Sequence, residues 1–567
     1  MLKRRSVTVA LGCLIAVAAV STPAAGAATA GPPVKAAGVG TRAALSSPSC
    51  DTSTGLTKMN FTARPPCVRP FGKNESNGGT TAPGVTKDAV KVVVLVPTPD
   101  QQAEGAKQPG ATPPINQATG AVGSVEDGFR DFFQVYEHWI QTWGRTVKLS
   151  FEQATGADET AQRADALKIS EMRPFAVIDA GGTYGGGAVF DSVLARDKII
   201  VITAGGDASR GSNDDAIKQS PYRWGSQDTG IFAINAGEFV AKSLAGRKAR
   251  WAGDDALRAK TRKIAVLYPT GSGGVDVSKF ENAFKKYGGS GSLAKLSYDL
   301  GADPSKAAEQ AQSEAPQLIV KAKDSGATTV VLFTDITNTT PAVMKAATSQ
   351  NYFPEWIITG LGFQDIDLVA RALWPADQTA HVLGIGTSPP YAADGSSANG
   401  LQTFFQTYWG KTQGTYSPGA VGIGFLLYSG IQLAGPKLTP QTFRQGVFSM
   451  PAGGGATDGQ ISNFMTGYGR SAGVPYDEYQ TIGIDYSMKW FDPEAVGVSN
   501  LVPGPAGKGK FVFLNGAKRY YAGKWPKGDQ AFFDPGASLV QLEAPPASDA
   551  PPNFPCDGCP SATERTP

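Results

Sequence analysis

The stretch Phe175-Ala-Val-Ile-Asp-Ala-Gly-Gly-Thr-Tyr-Gly-Gly-Gly187 decides the fold. A short, uninterrupted apolar run bounded by glycines reads as a strand buried on both faces, which is how parallel sheets are covered. The residues from Gly187 to Asp197 suit a helix. Ile199-Ile-Val-Ile-Thr-Ala-Gly-Gly-Asp207 then repeats the strand and its glycine turn. Working outward, Val90 to Val96 is another continuous apolar run. Val125, Phe129, Phe132, Tyr136, Trp139, Ile140 and Trp143 make an aromatic stripe on one helical face, expected to be core. Thr146–Phe151 reads as a strand and Glu159–Met172 as a helix.

A second series begins near Ile231 with a helix. Strands are expected at Lys263–Tyr268, Leu293–Tyr298, Thr328–Phe333 and Trp356–Thr359, with helices at Val275–Tyr287, Ala307–Ala322 and Pro341–Gln350 between them. Strands alternating with helices imply parallel sheets joined by crossovers. Two such series read as two doubly wound α/β lobes joined by a multi-strand hinge. The expected division is 86–225 with 360–470 for the first lobe and 226–359 with 471–543 for the second. A Gly/Pro/Ser-rich leader (31–85) precedes them and a Pro-rich tail (544–567) follows.

Composition narrows the function. The 567 residues carry 52 Lys+Arg against 49 Asp+Glu, a formal charge of +3, without the basic surplus that nucleic-acid binding needs. Only His138 and His381 are available for imidazole chemistry. No G-x-S-x-G elbow, H-E-x-x-H helix or complete phosphate loop occurs, so an exported hydrolase is the minor reading and no metal or cofactor is expected.

Met1-Leu-Lys-Arg-Arg5, an apolar stretch to Val20 and Ala28-Thr-Ala30 describe an export signal over residues 1–30. Cys13 interrupts the apolar run instead of ending it, which reads against lipidation. Cys50, Cys67, Cys556 and Cys559 remain, an even count that fits two disulfides in an exported chain. Three pairings are open, and the local one, Cys50–Cys67 with Cys556–Cys559, is the expected one. Gly419 to Gly435 comes nearest to a membrane span, but its glycines and polar residues break it.

Several segments, in order, resemble the branched-chain amino acid (Leu/Ile/Val) binding proteins, periplasmic binding proteins of type I that serve ABC importers. They are Pro83-Gly-Val-Thr-Lys-Asp-Ala-Val-Lys-Val92, Phe175–Tyr184, Ile199–Asp207, Lys263-Ile-Ala-Val-Leu-Tyr268 and Gln350-Asn-Tyr-Phe-Pro354. Cys50 to Val92 looks like an actinobacterial branch with a cysteine-stapled leader. The resemblance implies capture of a small polar ligand by lobe closure and delivery to an ABC permease at the membrane. A sensor or docking module with the same clamshell is the alternative.

By that resemblance, Thr183 falls where a hydroxyl and amide take a ligand carboxylate, and Gly205 where a carbonyl faces an ammonium. Asp207 replaces a usual threonine, and Asp228 matches an acidic residue near the hinge. Tyr184, Trp224 or Phe363 would flank the ligand. The usual lobe-two tyrosine and glutamate align near Gly273 and Gly362, and Gln364 or Asp365 would compensate from the same loop. The hinge is expected at Gly225–Gly230 and Thr359–Gln364. Physics supplies a parallel expectation: amides at glycine turns and helix N-termini attract anions. Asp207→Ala should weaken ligand binding at least tenfold, about 1.4 kcal/mol, in a calorimetric titration; unchanged affinity removes Asp207 from the site.

Overall fold

Strand β1 (Ala89–Val96) is buried along nearly its whole length, as its apolar run requires. The computed structural model that shows this describes residues 68–72, 74–106, 124–181, 185–203, 222–224, 229–271, 274–301, 306–387, 418–448, 466–467, 483–484, 486–497, 507–515, 518–520 and 522–528. The export signal, all five cysteines and the Pro-rich tail lie outside the described residues.

β1 runs parallel to β2 (Thr146–Gln153) on one side and β3 (Ala176–Asp179) on the other. β4 (Ile200–Thr203) and β5 (Arg223–Trp224) extend the sheet in parallel, giving the order β2-β1-β3-β4-β5. Helices Val125–Trp139, Glu159–Glu171 and Ala188–Arg196 separate these strands in sequence. Each of the first two starts where a side chain can take its first amides. Ser124 and Asp127 form a reciprocal capping box, and Asp158 accepts from Thr160 and Ala161.

The second sheet has eight strands, and its central path runs β14-β13-β10-β9-β8-β6-β7. β6 (Ile264–Pro269), β7 (Ala294–Tyr298), β8 (Thr329–Leu332), β9 (Glu355–Ile358) and β10 (Val382–Gly386) are parallel. A short ladder of β11 (Thr466–Gly467) with β12 (Gly483–Ile484) precedes β13 (Tyr486–Gly497) and β14 (Gly507–Phe513), and β15 (Arg519–Tyr520) pairs with β13. β13 is antiparallel to both β10 and β14, so this sheet is parallel-dominated with an antiparallel flank. An antiparallel neighbour needs no crossover helix, which is why the alternation of strands and helices gave no sign of it.

The domain boundary needs correction too. Residues 360–386 were expected in the first lobe, yet Val382 pairs with Trp356 and Leu383 with Ile357 inside the second sheet. Gly384 makes the close fit possible: at φ 148° its Cβ would stand 2.2 Å from the Ile358 carbonyl oxygen. Among the described residues after β10, helices Pro418–Ala434 and Pro440–Phe448 belong to the first unit, their apolar residues sharing a core with β1, β3 and β4. The expected hinge at Thr359–Gln364 therefore lies within the second unit.

The aromatic stripe forms the seam to the returning helices. Tyr136 stacks on Tyr428 at 5.3 Å and Phe133 meets the same ring at 5.4 Å. Phe133, not anticipated in the stripe, is a core residue, while the Phe132 and Trp139 side chains lie outside the described residues. Trp143 lies past the helix end at φ 60°, and its indole donates to the Ile431 and Gln432 carbonyls. Trp224 is core, with its ring 5.5 Å from both Phe443 and Phe448. The glycines that interrupt the apolar helix allow close packing: a Cβ on Gly424 would meet Tyr136 at 2.5 Å, and one on Gly430 would meet Phe443 at 2.2 Å. Among the described residues, no helix is long and apolar enough to cross a membrane.

The end of the leader is built into the first unit. Val68 is fully buried in the core, and Phe71 sits edge-on to Trp143 at 5.9 Å. Arg145, buried, donates to the carbonyls of Thr86 (2.8 Å), Pro436 (2.9 Å), Asn77 (2.6 Å) and Gly79 (3.3 Å). One guanidinium thus ties the leader, the β1 entry and the returning helices together. Arg145→Met should cost about 3 kcal/mol, because it leaves buried carbonyls unsatisfied. Urea denaturation checks this, and a loss under about 1 kcal/mol would contradict the bracing role.

Candidate functional site

In an open parallel sheet, the crevice for a ligand lies beyond the strand carboxyl ends, where neighbouring connections run in opposite directions. The first sheet reverses between β1 and β3, and the second between β6 and β8. In the first unit this rule points to the chain after β1 and β3. In the second unit it points to the chain after β6 and β8.

After β1, the Thr98 amide donates to Gln101, and Gln102 bonds the Pro97 carbonyl and the Val125 amide. After β3 comes the glycine turn. Asp179, 1% exposed, sits beneath it. Its carboxylate accepts from Gly181 N at 3.3 Å and from Gly187 N at 3.0 Å. Gly186 has φ 74° and lies so close that a Cβ would be 1.9 Å from Asp179 Oδ1. Glycine is thus required there by both torsion and space. Gln162 Oε1 accepts from Val189 and Phe190 at the start of the following helix. Four amides of this turn and helix start, those of Gly181, Gly187, Val189 and Phe190, are therefore engaged within the protein.

In the second unit, the Thr270 amide and hydroxyl bond to the Tyr298 carbonyl, and the Thr229 hydroxyl reaches the Gly274 carbonyl. After β8, Asp335 accepts from the amides of Thr337 (3.1 Å), Asn338 (2.5 Å) and Thr339 (2.9 Å). It caps helix Thr339–Ser349 and leaves Asp335, Thr337 and Asn338 half-buried at the strand end. The Tyr298 hydroxyl donates to the Phe333 carbonyl nearby. Burial first, and the Asp335 charge second, push its ionisation well above the ordinary tyrosine range.

Of the residues singled out by sequence, Thr183, Tyr184, Gly205, Asp207 and Asp228 lie outside the described residues, as do Gly273 and the Phe363 side chain. Gln364 is described, and it faces inward. Its oxygen accepts from the Thr359 amide (2.8 Å), and its nitrogen donates to the Leu332 and Thr334 carbonyls at 3.0 Å each. Fully buried, it fastens the post-β9 loop to the end of β8. Asp365 is no solvated charge: it forms a fully buried ion pair with Lys489 of β13. β9 lies one strand away from the reversal between β6 and β8, which explains why its loop serves packing.

Asp179, Gln162 and Asp335 escaped the sequence reading. An acidic residue at or shortly after the end of a buried strand and ahead of a helix was the available signal for Asp179 and Asp335. Gln162 sits on a different helix and gave none. Among the described residues, no group of three or more His, Cys, Asp or Glu is placed to hold a metal ion.

No protein-family model matches this sequence, and no curated protein sequence matches it. In backbone, the chain is similar to solved structures of ABC-transporter solute-binding proteins. One, from Rhodopseudomonas palustris BisB5 in complex with 3,4-dihydroxybenzoic acid, has TM-score 0.44 and 14% identity, covering 74% of this chain and 98% of that one. A fatty acid ABC-transporter substrate-binding protein from Thermomonospora curvata has TM-score 0.45 and 13% identity, covering 79% and 99%. One from Desulfitobacterium hafniense in complex with Leu has TM-score 0.40 and 12% identity, covering 71% and 97%.

Just beyond the Asp365 pair, Asp367 opens helix Asp367–Leu373 and accepts from Phe511 N of β14 at 2.7 Å. Burial raises its pKa to about 7, against the smaller lowering by that hydrogen bond and by Lys510, Lys489 and Arg371. The unfolded carboxyl titrates near 4, so the native form binds this proton more tightly. The stabilisation is full below about pH 4 and is lost as pH rises through about 7. Urea midpoints of wild type should thus fall between those pH values relative to Asp367→Asn, and parallel curves would refute the assignment.

Proposed function

We propose that this chain is an extracytoplasmic solute-binding protein. It captures a small polar ligand, an amino acid, amide or related compound, between its two α/β units and delivers it to an ABC permease. The observation that carries the reading is the paired reversal of strand order. Each unit is parallel where it reverses and offers its turns at the same kind of strand end. A ligand held between two such edges loses water on both sides and meets donors and acceptors already fixed by the fold. Closure of the units gives a membrane partner a shape to read. Three sequence features support the same reading: the export signal over residues 1–30, the even number of cysteines after it, and the ordered resemblance to Leu/Ile/Val-binding proteins.

Thr183, Tyr184, Gly205, Asp207 and Asp228 are the proposed ligand contacts, with Asp335, Thr337 and Asn338 added from the second unit. The test is a thermal-shift screen of the exported chain with L-leucine, L-glutamine, acetamide, 4-hydroxybenzoate, octanoate, putrescine and glucose. One class should raise the melting temperature, since a ligand at a hundred times its Kd stabilises by about 2.7 kcal/mol. Chemical turnover of that compound would replace capture by catalysis, and no shift with any class would overturn the proposal.

A further inference from the structure

We propose that a basic face on the second unit, centred on Tyr287, docks a linear phosphodiester polymer, a function separate from solute capture. The charge is read from the sequence. Residues 239–250, 282–290 and 518–528 contain ten Lys and Arg and no Asp or Glu, in a chain whose totals are 52 and 49. The fold gathers these three segments. Lys242 Nζ lies 4.6 Å from the centre of the Tyr287 ring, and Lys286 Nζ lies 5.3 Å from it. Lys242 also donates to the Trp525 carbonyl at 3.0 Å, and its own carbonyl accepts from Gly528 N and from Arg247 Nη1, each at 3.2 Å. Gly523 sits beside the same ring, where a Cβ would stand 3.6 Å from the Tyr287 hydroxyl. The adjoining acid, Glu238, is fully buried and engaged by Lys242 and by the amides of Gly523 and Trp525, so it presents no negative charge at the surface.

Lys248, Lys285, Lys286, Lys524 and Lys527 are exposed, and none of them is in an ion pair among the described residues. Like charges gathered without counter-charges repel one another, so the face carries a cost that an anionic partner removes. Helix-end electrostatics account for two of the five. Lys285 and Lys286 close helix Val277–Lys286, where cations complement the dipole. Lys524 and Lys527 lie on no helix, and Lys248 lies beyond the π-helical turn Val240–Leu244. The make-up of the face selects its occupant. Lysines are point charges on flexible stems and suit phosphates of variable position, whereas protein interfaces are poor in lysine. Stable bilayer binding combines charge with apolar side chains that enter the lipid. The exposed large hydrophobic residues, Leu167, Met172, Val320 and Val496, lie on none of the three segments, and Trp525 is 2% exposed. A flexible chain of phosphates needs no apolar insertion and gains by releasing counterions along its length. The face also lies toward the amino ends of the strands, since residues 239–250 lead into β6 and 282–290 into β7. The turns that border the candidate site follow the carboxyl ends, so polymer and solute need not compete.

The experiment titrates poly(glycerol phosphate) into the whole exported chain by calorimetry, beside vesicles of phosphatidylglycerol at equal phosphate. Wild type should bind the polymer with an affinity that falls at least tenfold between about 50 mM and about 200 mM salt. Lys285→Gln with Lys286→Gln, and Lys524→Gln with Lys527→Gln, should each weaken binding at least threefold and flatten the salt dependence. The variant carrying all four changes should lose at least tenfold. Lys87→Gln with Lys91→Gln removes the same charge from exposed positions of the first unit and should leave affinity within twofold of wild type. Exposed substitutions of this kind change stability by no more than about 0.5 kcal/mol, so all variants keep the fold. Absence of binding by wild type overturns the proposal, and so does equal weakening in the Lys87 and Lys91 variant. Vesicle binding at least as tight as polymer binding gives the face to a membrane and overturns it as well. None of these outcomes bears on solute capture, which keeps its own screen.

Discussion

A central parallel strand has no face to offer water, and this constraint governs the rest of the molecule. Strands β3, β4, β8, β9 and β10 are buried at every residue, so helices must cover both faces of each sheet. With the faces occupied, strand ends are where backbone polar groups can meet a ligand. The reversal of strand order then selects one gap in each sheet. The position of the candidate site thus follows from topology before any side chain is considered.

Charge inside the protein is used to fix turns and seams. Asp179 holds the glycine turn, Asp335 caps the helix after β8, and Asp365 locks the post-β9 loop to β13 through Lys489. Arg223 and Asp191, both buried, join helix Ala188–Arg196 to β5 just before the chain leaves for the second unit. A buried charge is costly unless donors or acceptors surround it, so each of these residues enforces its local geometry. The second unit has an analogous clasp at its far end. Glu238 accepts from Lys242 and from the amides of Gly523 and Trp525, which draws the chain after β15 onto helix Thr229–Phe239.

The alternation of strands and helices was legible because each short apolar run had one reading. Leu293–Tyr298 contains β7, and Ala307–Ala322 falls within the helix Ala307–Asp324. The glycine turn after β3 was legible because cluster and strand adjoin. What the amides of that turn do was not, since Gln162 reaches them from another helix and Asp179 from below. The internal bonds of Gln364 were not legible for a similar reason: its partners Leu332 and Thr334 lie thirty or more positions earlier in sequence.

Sequence by itself determined the class of fold, the extent of most elements and the presence of glycine-rich strand ends. These depend on local patterns, on which residues must avoid water and which torsions they can adopt. Tertiary structure alone decided which sheet received β10, the antiparallel run of β13, and which polar side chains face inward. Those outcomes depend on pairings between distant segments, where hydrogen-bond satisfaction in the buried interior chooses among arrangements that the local pattern leaves equal.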